Sequence, residues 1–205
     1  MSDVRSPDHP IERFFLDRWS PRSFSGEPVP HAVLASAFEA ARWAPSAWNA
    51  QPWRFVVARP RDAAWETFLA LLIPHNRLWA SRASALVVIV SKLTVERAGQ
   101  LADNHSHSFD TGAAWANFAH QALLLGWHTH GIGGFDRAAA RTELAIPDGF
   151  AAEAMVAVGR QGHLADLDEQ FHAREKPSGR NPQAAFVFSG CFGSSLVPEP
   201  KRNVP

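Results

Sequence analysis

The stretch Ala44-Pro45-Ser46-Ala47-Trp48-Asn49-Ala50-Gln51-Pro52-Trp53-Arg54-Phe55 lies between a helical pattern and a strand pattern. Pro45 is expected to end the preceding helix, because proline disfavours the helical conformation in the residue before it and lacks an N–H group. Between the two prolines lie three hydrogen-bonding side chains: Ser46, Asn49 and Gln51. Such a loop suits the edge of a planar polar ligand, although an ordinary connecting loop can have the same composition.

Length and charge limit the classes of protein that this chain can belong to. Its 205 residues suit a single domain spanning residues 1–205, with about ten extended residues at each end. The 20 basic and 20 acidic residues cancel, which argues against general binding to nucleic acid or to an anionic membrane. Cys191 is the one cysteine, so no intramolecular disulfide forms. Without an apolar signal segment or a bilayer-length apolar run, we expect a soluble, cytoplasmic protein.

Apolar residues recur at helical spacing in several segments. We expect Asp62 to cap the third helix, over residues 62–72. Asp110 is expected to cap the fourth helix, over residues 110–125, which is long and apolar over most of its circumference. Gly126 ends that fourth helix. The expected helices cover residues 11–17, the segment from Pro30 to before Pro45, and residues 62–72, 110–125 and 137–144.

Four β-rich runs separate the helices: Phe55–Ala58, Ala85–Val90, Ala154–Val158 and Ala185–Phe188. The second run is apolar and β-branched throughout, which predicts a buried central strand. Helices and strands alternate without the regular spacing of βαβ units. The pattern therefore predicts an α+β layer structure rather than a doubly wound sheet.

The sequence offers weaker support for three other kinds of site than for a ligand-binding loop: a metal site, a hydrolase nucleophile and a dinucleotide-binding loop. The pairs His105/His107 and His128/His130 invite a metal hypothesis, but they lack an accompanying carboxylate motif. A Gly-x-Ser-x-Gly hydrolase motif is absent from the sequence. The glycine-rich loop Gly131–Asp136 is expected to follow the long helix, whereas a dinucleotide fingerprint follows a strand. Its glycines would still let backbone N–H groups approach a ligand closely.

Three arginines near the two ends of the chain are candidates for binding an anion: Arg18, Arg22 and Arg180. The forked donors of arginine suit phosphate. For any single arginine, simple exposure to solvent is the ordinary alternative.

Taken in order, these segments resemble the nitroreductase family of FMN-dependent oxidoreductases. Arg18–Phe24 is similar to the family's Arg-x-Ser-x-(Arg/Lys)-x-Phe segment, and Pro45–Trp53 is similar to its Pro-Ser-x-x-Asn-x-Gln-Pro-Trp signature. Asn76, ahead of the strand at Leu86, resembles a family position that faces the flavin ring. The long helix with the loop Gly131–Asp136 resembles the family's central helix and its Gly-Phe-Asp loop, and Pro177–Arg180 resembles its C-terminal basic element.

The resemblance implies a three-layer fold, in which helices flank a mixed or antiparallel central sheet, and an intertwined homodimer with FMN at the interface. It also implies that a hydride from NADH or NADPH passes through flavin N5 to a small acceptor such as a nitroaromatic, a quinone or an enone. The flavin would carry the chemistry, with no catalytic acid–base residue and no metal. A flavin-binding protein without reductase turnover is the main alternative, and a histidine-ligated metal enzyme is the weaker one.

Roles at the phosphate and at the ring follow from the resemblance position by position. Arg18 and Arg180 would grip the FMN phosphate, with Ser20 nearby. Arg22 would sit beside N1 and O2 of the isoalloxazine ring. Asn76 would hydrogen-bond the pyrimidine edge of that ring.

Four further positions complete the implied site. Ser46 and Asn49 would reach the flavin from the partner subunit, and backbone at Gly133 and Gly134 would lie near N5. Gly133 stands where some family members have glutamate, so contacts there would depend on backbone alone. The C-terminal basic element is more widely spaced than the family's tight basic pair, so only Arg180 is carried over from it.

Overall fold

The computed structural model describes residues 5–196, which belong to two compact units. The larger unit comprises residues 12–176. The smaller unit comprises residues 1–11 and 177–205, of which 5–11 and 177–196 are described. None of the helices within residues 5–196 combines the length and the apolar character that a bilayer span requires.

The larger unit alternates helices and strands along the chain. Its helices are α1 (Arg13–Asp17), α2 (His31–Arg42), α3 (Trp65–Leu71), α4 (Pro74–Ala80), α5 (His107–Leu124) and α6 (Arg137–Glu143). Its strands are β1 (Trp53–Ala58), β2 (Ala85–Lys92), β3 (Thr94–Arg97), β4 (Gln100–Asp103), β5 (His128–Ile132) and β6 (Phe150–Gly159). Short 3-10 turns occupy Ala47–Asn49, Leu164–Asp166 and Glu169–Arg174.

The main sheet has four strands in the order β1-β2-β6-β5, and every neighbouring pair is antiparallel. Strands β3 and β4 pair in a separate antiparallel hairpin, which follows β2 and precedes α5 along the chain. The α+β class and the antiparallel central sheet are therefore confirmed.

Strand β2 is buried on both faces, as its continuous apolar run predicts. Leu86, Val88 and Val90 belong to a core with residues of α3, α4 and α6. The alternate residues Ala85, Val87 and Ile89 belong to a second core with residues of α2 and α5. Because side chains alternate between the two faces of a strand, the sheet lies between two helical layers. This is the expected three-layer arrangement.

Two predicted helix caps are wrong, because each carboxylate is used elsewhere. Ser106, not Asp110, precedes α5, and Asp110 lies in the first turn with its carboxylate accepting the Ala47 N–H at 3.0 Å. Helix α3 begins at Trp65, and the Asp62 carboxylate instead accepts the Arg59 N–H at 2.9 Å and closes a turn.

The expected position of the glycine-rich loop is also wrong. Strand β5 intervenes after Gly126, so the loop Gly131–Asp136 begins within a strand and leads into α6. Antiparallel pairing of β5 with β6 still differs from the parallel βαβ unit of a dinucleotide fingerprint.

The smaller unit joins the two ends of the chain. Arg5 Nε donates a hydrogen bond to the carbonyl of Ser178 at 2.9 Å. The predicted strand over residues 185–188 is wrong, since Gln183–Ala185 is a 3-10 turn and Phe188 forms an isolated bridge with Ser195. The expected extended tail at residues 198–201 lies outside the described residues.

Candidate functional site

A cavity of about 310 Å³ opens between the segment after α1, helix α5 and strand β5. Its lining consists of Arg18, Ser20, Trp115, Ala116, Ala119, His120 and Gly131. Arg18 Nη1 donates to Ser20 Oγ at 3.3 Å. The structure therefore brings together two of the residues predicted to bind phosphate. A guanidinium and a hydroxyl on one wall are donors suited to an anion.

The backbone on either side of Arg22 is fixed by residues distant in sequence. The Glu175 carboxylate accepts the N–H groups of Arg22 at 3.0 Å and Ser23 at 2.8 Å. Gly162 N–H donates to the Ser23 carbonyl at 2.8 Å, and Phe24 bridges Gln161 just beyond β6. The basic segment is thus attached to the end of the central sheet.

The side chain of Arg22 is half-buried beside an aromatic wall. Its guanidinium carbon lies 6.0 Å from the centre of the Trp79 ring. Burial lowers the pKa of Arg22, while the Glu175 charge opposes that change and the Arg174 charge adds to it. Because arginine stays protonated in proteins, the result is a cation with reduced hydration, which interacts more strongly with a nearby anion.

His130, which precedes Gly131 in β5, packs against the same wall. Its Nδ1 donates to the Pro21 carbonyl at 2.9 Å, and its ring centre lies 4.5 Å from that of Trp79. Burial lowers the pKa of His130 to about 4, with the Arg22 and Arg18 charges acting in the same direction. The imidazole is therefore neutral at physiological pH and supports the basic segment through a hydrogen bond.

The loop between Pro45 and Pro52 has a strained backbone. Trp48, Asn49 and Gln51 have positive φ values of 57°, 52° and 46°, which non-glycine residues seldom adopt. The Ser46 hydroxyl accepts the Gln51 N–H at 3.1 Å, and the Asp110 carboxylate holds the Ala47 N–H. Asn49 is exposed and Ser46 is half-buried, so both are presented at the surface of this loop.

Asn76 and the glycine-rich loop are in direct contact. Asn76 Nδ2 donates to the Gly134 carbonyl at 3.0 Å. A Cβ atom at Gly134 would lie 2.7 Å from Asn76 Nδ2, so a larger residue here would displace the Asn76 side chain. Gly133 is exposed, and a Cβ atom there would meet nothing within 4 Å. The backbone at Gly133 is therefore accessible to a ligand.

Arg180 lies in the smaller unit, where its Nη1 donates to Ser178 Oγ at 3.2 Å and to the Gly179 carbonyl at 2.8 Å. Its participation in the same site as Arg18 stays a prediction.

The histidine pairs have separate structural roles. His107 Nδ1 lies 2.8 Å from Ser91 Oγ, which donates to Glu153 at 2.6 Å, whereas His105 is exposed. Within residues 5–196, no group of three or more histidine, cysteine, aspartate or glutamate side chains is arranged to hold a metal ion.

Sequence reasoning assigns no role at this site to five side chains that lie near it: Trp115, His120, His130, Glu175 and Asp110. Their contacts with the site join residues far apart in the chain, up to a separation of 153 between Arg22 and Glu175. A local pattern carries no signal for such contacts. The exception is the apolar character of α5, which predicts that this helix packs centrally.

Known proteins share this architecture. A family model for the nitroreductase family matches residues 16–160. The solved structure of an oxidoreductase containing FMN is 43% identical in sequence, with a TM-score of 0.90 and a match covering 95% of this chain and 99% of that one. NADH dehydrogenase of Thermus thermophilus is 32% identical over 171 residues, which are 70% of this chain and 83% of that protein.

A more distant structure supports the fold alone. A nitroreductase family protein from Streptococcus pneumoniae is 20% identical, with a TM-score of 0.70 over 86% of this chain and 98% of its own. The fold thus defines an α+β protein in which helical layers enclose an antiparallel sheet, with an anion-compatible cavity beside α5 and β5. Together with the family match and the relatives, this shows that the chain belongs to the nitroreductase family.

We predict that the protein loses stability as the pH falls from 6.5 towards 4. Burial lowers the pKa of His130 from 6.5 to about 4, and it also lowers the pKa values of His120 and His128. As the pH falls below 6.5, the unfolded chain binds more protons at these positions than the folded protein does, so acid favours unfolding. Urea unfolding at pH 7.5, 6 and 5 measures the effect. His130→Asn should reduce the pH dependence, and an unchanged dependence would contradict this explanation.

A second prediction concerns the bond between Asp110 and the strained loop. Asp110→Ala leaves the part-buried Ala47 N–H without its acceptor, and should lower the free energy of unfolding by about 1–3 kcal/mol. Asp110→Asn keeps an acceptor oxygen and should cost less. Urea unfolding of both variants at neutral pH tests this order. Equal losses would show that the hydrogen bond does not anchor the loop.

Proposed function

We propose that this protein is an FMN-dependent oxidoreductase that takes a hydride from NADH or NADPH and passes it to a small acceptor such as a nitroaromatic, a quinone or an enone. The observation that carries the proposal is the cavity that holds Arg18 and Ser20, because its donors suit a phosphate group. The 43% identical oxidoreductase that contains FMN supports the choice of cofactor. The NADH dehydrogenase of T. thermophilus supports a nicotinamide as the reductant.

The residues present fit the chemical groups of FMN. Arg18 and Ser20, with Arg180 from the C-terminal segment, would bind the phosphate. Arg22 would face N1 and O2 of the ring, where its part-buried charge is effective, and Asn76 would face the pyrimidine edge.

The glycine-rich loop Gly131–Asp136 would lie against the central part of the isoalloxazine ring. Gly133 is open to an approaching ligand, and backbone at Gly133 and Gly134 would lie near N5. When bound, FMN supplies the hydride chemistry at N5, and the protein supplies position and charge.

The charge of Arg22 would be an electrostatic contribution of the chain to the flavin chemistry. A cation beside N1 stabilises the negative charge that the ring gains on reduction, and so raises the reduction potential. Glu175 fixes the backbone of Arg22 through two N–H groups, while His130 stays neutral and adds no competing charge. These residues therefore set the place and the strength of the cation.

A second copy of the chain would complete the site. Ser46 and Asn49 would reach the flavin from the partner subunit of a homodimer. Exposed apolar side chains at the end of α2, on α5 and in the loop support such an interface, since they include Trp43 at 71%, Trp48 at 76% and Phe109 at 83% exposure. Trp48 is then better explained by packing between subunits than by contact with substrate.

We predict that the protein purified with FMN shows flavin absorption bands and that NADH or NADPH bleaches them without oxygen. An acceptor such as a quinone should then restore the bands. Flavin bands that persist with both nicotinamides would indicate a flavin-binding protein without turnover. Failure to bind FMN at all would overturn the proposed function.

A further prediction concerns Arg22→Ala, which should lower the reduction potential of bound flavin by about 30–60 mV. One hydrogen bond to a charged group contributes about 1.5–3 kcal/mol, and about 1.4 kcal/mol corresponds to about 30 mV for two electrons. Spectroelectrochemistry on the flavin-loaded variant measures the change. Arg59→Ala is the control, because Arg59 pairs with Asp62 in the turn after β1. A potential equal to that of the unmodified protein would remove the proposed role of Arg22.

A further inference from the structure

His120 projects from α5 into the same cavity as Arg18 and Ser20. Two rings of α1, those of Phe14 and Phe15, meet the His120 ring edge-on, each with a centre-to-centre distance of 5.2 Å. These contacts limit the orientation of the imidazole at the cavity wall. The cavity therefore has a second basic side chain in addition to its arginine.

The charges around His120 come mainly from that arginine. Burial lowers the pKa of His120, and the positive charge of Arg18 lowers it further. On α1, Arg13 and Asp17 form an ion pair with each other at 2.8 Å, so their charges largely cancel.

The other elements packed against His120 add little net charge. On α2, Arg42 and Glu39 form an ion pair. The α5 residues that share a groove with His120 are uncharged: Ala116, Asn117, Gln121 and Leu124. On β5, His128 has its own pKa lowered by burial and by the Arg18 charge. The positive charge of Arg18 thus disfavours protonation of the adjacent His120 as long as no anion is bound.

We propose that His120 is a further ligand of the FMN phosphate and takes up a proton when that phosphate enters the cavity. The inference rests on the proposed function, because it requires FMN to bind with its phosphate at Arg18. A phosphate monoester has a charge of about −1.5 to −2 at pH 7. A nearby dianion favours the protonated imidazole, and thereby reverses the effect of Arg18. FMN binding is then coupled to proton uptake at His120.

The phosphate itself allows a direct test, because riboflavin has the same ring system without it. Dissociation constants for FMN and riboflavin are measured at pH 6 and pH 8 by quenching of flavin fluorescence, with the unmodified protein, His120→Gln and His128→Gln. His128 is the matched control, since it senses Arg18 but does not line the cavity. His120→Gln should weaken FMN binding about tenfold at pH 6 and less at pH 8. Riboflavin binding should change by less than about twofold.

Other outcomes overturn the inference. Equal weakening of FMN and riboflavin by His120→Gln would mean that the ring only packs the cavity. Unchanged FMN binding, or a loss that follows His128→Gln instead, would remove His120 from the phosphate site. If the unmodified protein binds neither flavin, the proposed function itself fails, which is a different result from binding that is insensitive to His120.

A measurement on the unmodified protein covers the case in which His120→Gln does not fold. Titration calorimetry at pH 7.5, in two buffers with different ionisation enthalpies, gives the number of protons taken up on binding. Free FMN phosphate is almost fully dianionic at that pH, since its second pKa is about 6. Net proton uptake with FMN but not with riboflavin is expected. Equal uptake with the two ligands, or none with FMN, would overturn the inference.

Discussion

The burial of β2 on both faces is the constraint on which the rest of this structure depends. A strand whose side chains are apolar on both faces from Ala85 to Val90 must be covered on each side, because uncovered apolar surface is costly in water. One face is covered by α2 and α5, and the other by α3, α4 and α6. Antiparallel pairing of β2 with β1 and β6 then fixes where the sheet ends. The candidate cavity lies beside β5, the edge strand that pairs with β6.

The basic segment at residues 18–24 has its place because the sheet holds it. The Pro21 carbonyl accepts a bond from His130 of β5, and Phe24 bridges Gln161 after β6. Glu175 closes the arrangement by accepting two backbone N–H groups, which a carboxylate does more strongly than a neutral acceptor. Arg18, which precedes α2 in the chain, thereby lines the same cavity as Gly131, more than a hundred residues later.

The parts of the fold that the sequence predicts are those decided by local pattern. The run Ala85–Val90 can hardly be anything other than a buried strand, and α2 follows from its apolar stripe. Strand β5 has the sequence His-Thr-His-Gly-Ile, which lacks a β-branched run, and it is extended because β6 offers it a partner. Asp110 has the composition of a cap, but its carboxylate bonds to Ala47 across 63 positions. Likewise, no local signal links His120 or Glu175 to the arginines they adjoin.

The electrostatics of the site argue for an anionic ligand independently of any motif. His120, His128 and His130 all have lowered pKa values, with burial as the largest cause and the Arg18 charge acting on each. Limited access to water thus disfavours a further proton at these three imidazoles, and the Arg18 charge adds to that effect. The Glu175 carboxylate accepts backbone N–H groups of the basic segment, and its charge acts on Arg22, while it is not among the groups that act on the three histidines. A negatively charged group entering the cavity beside Arg18 would interact favourably with that charge, and a neutral ligand would lack this interaction.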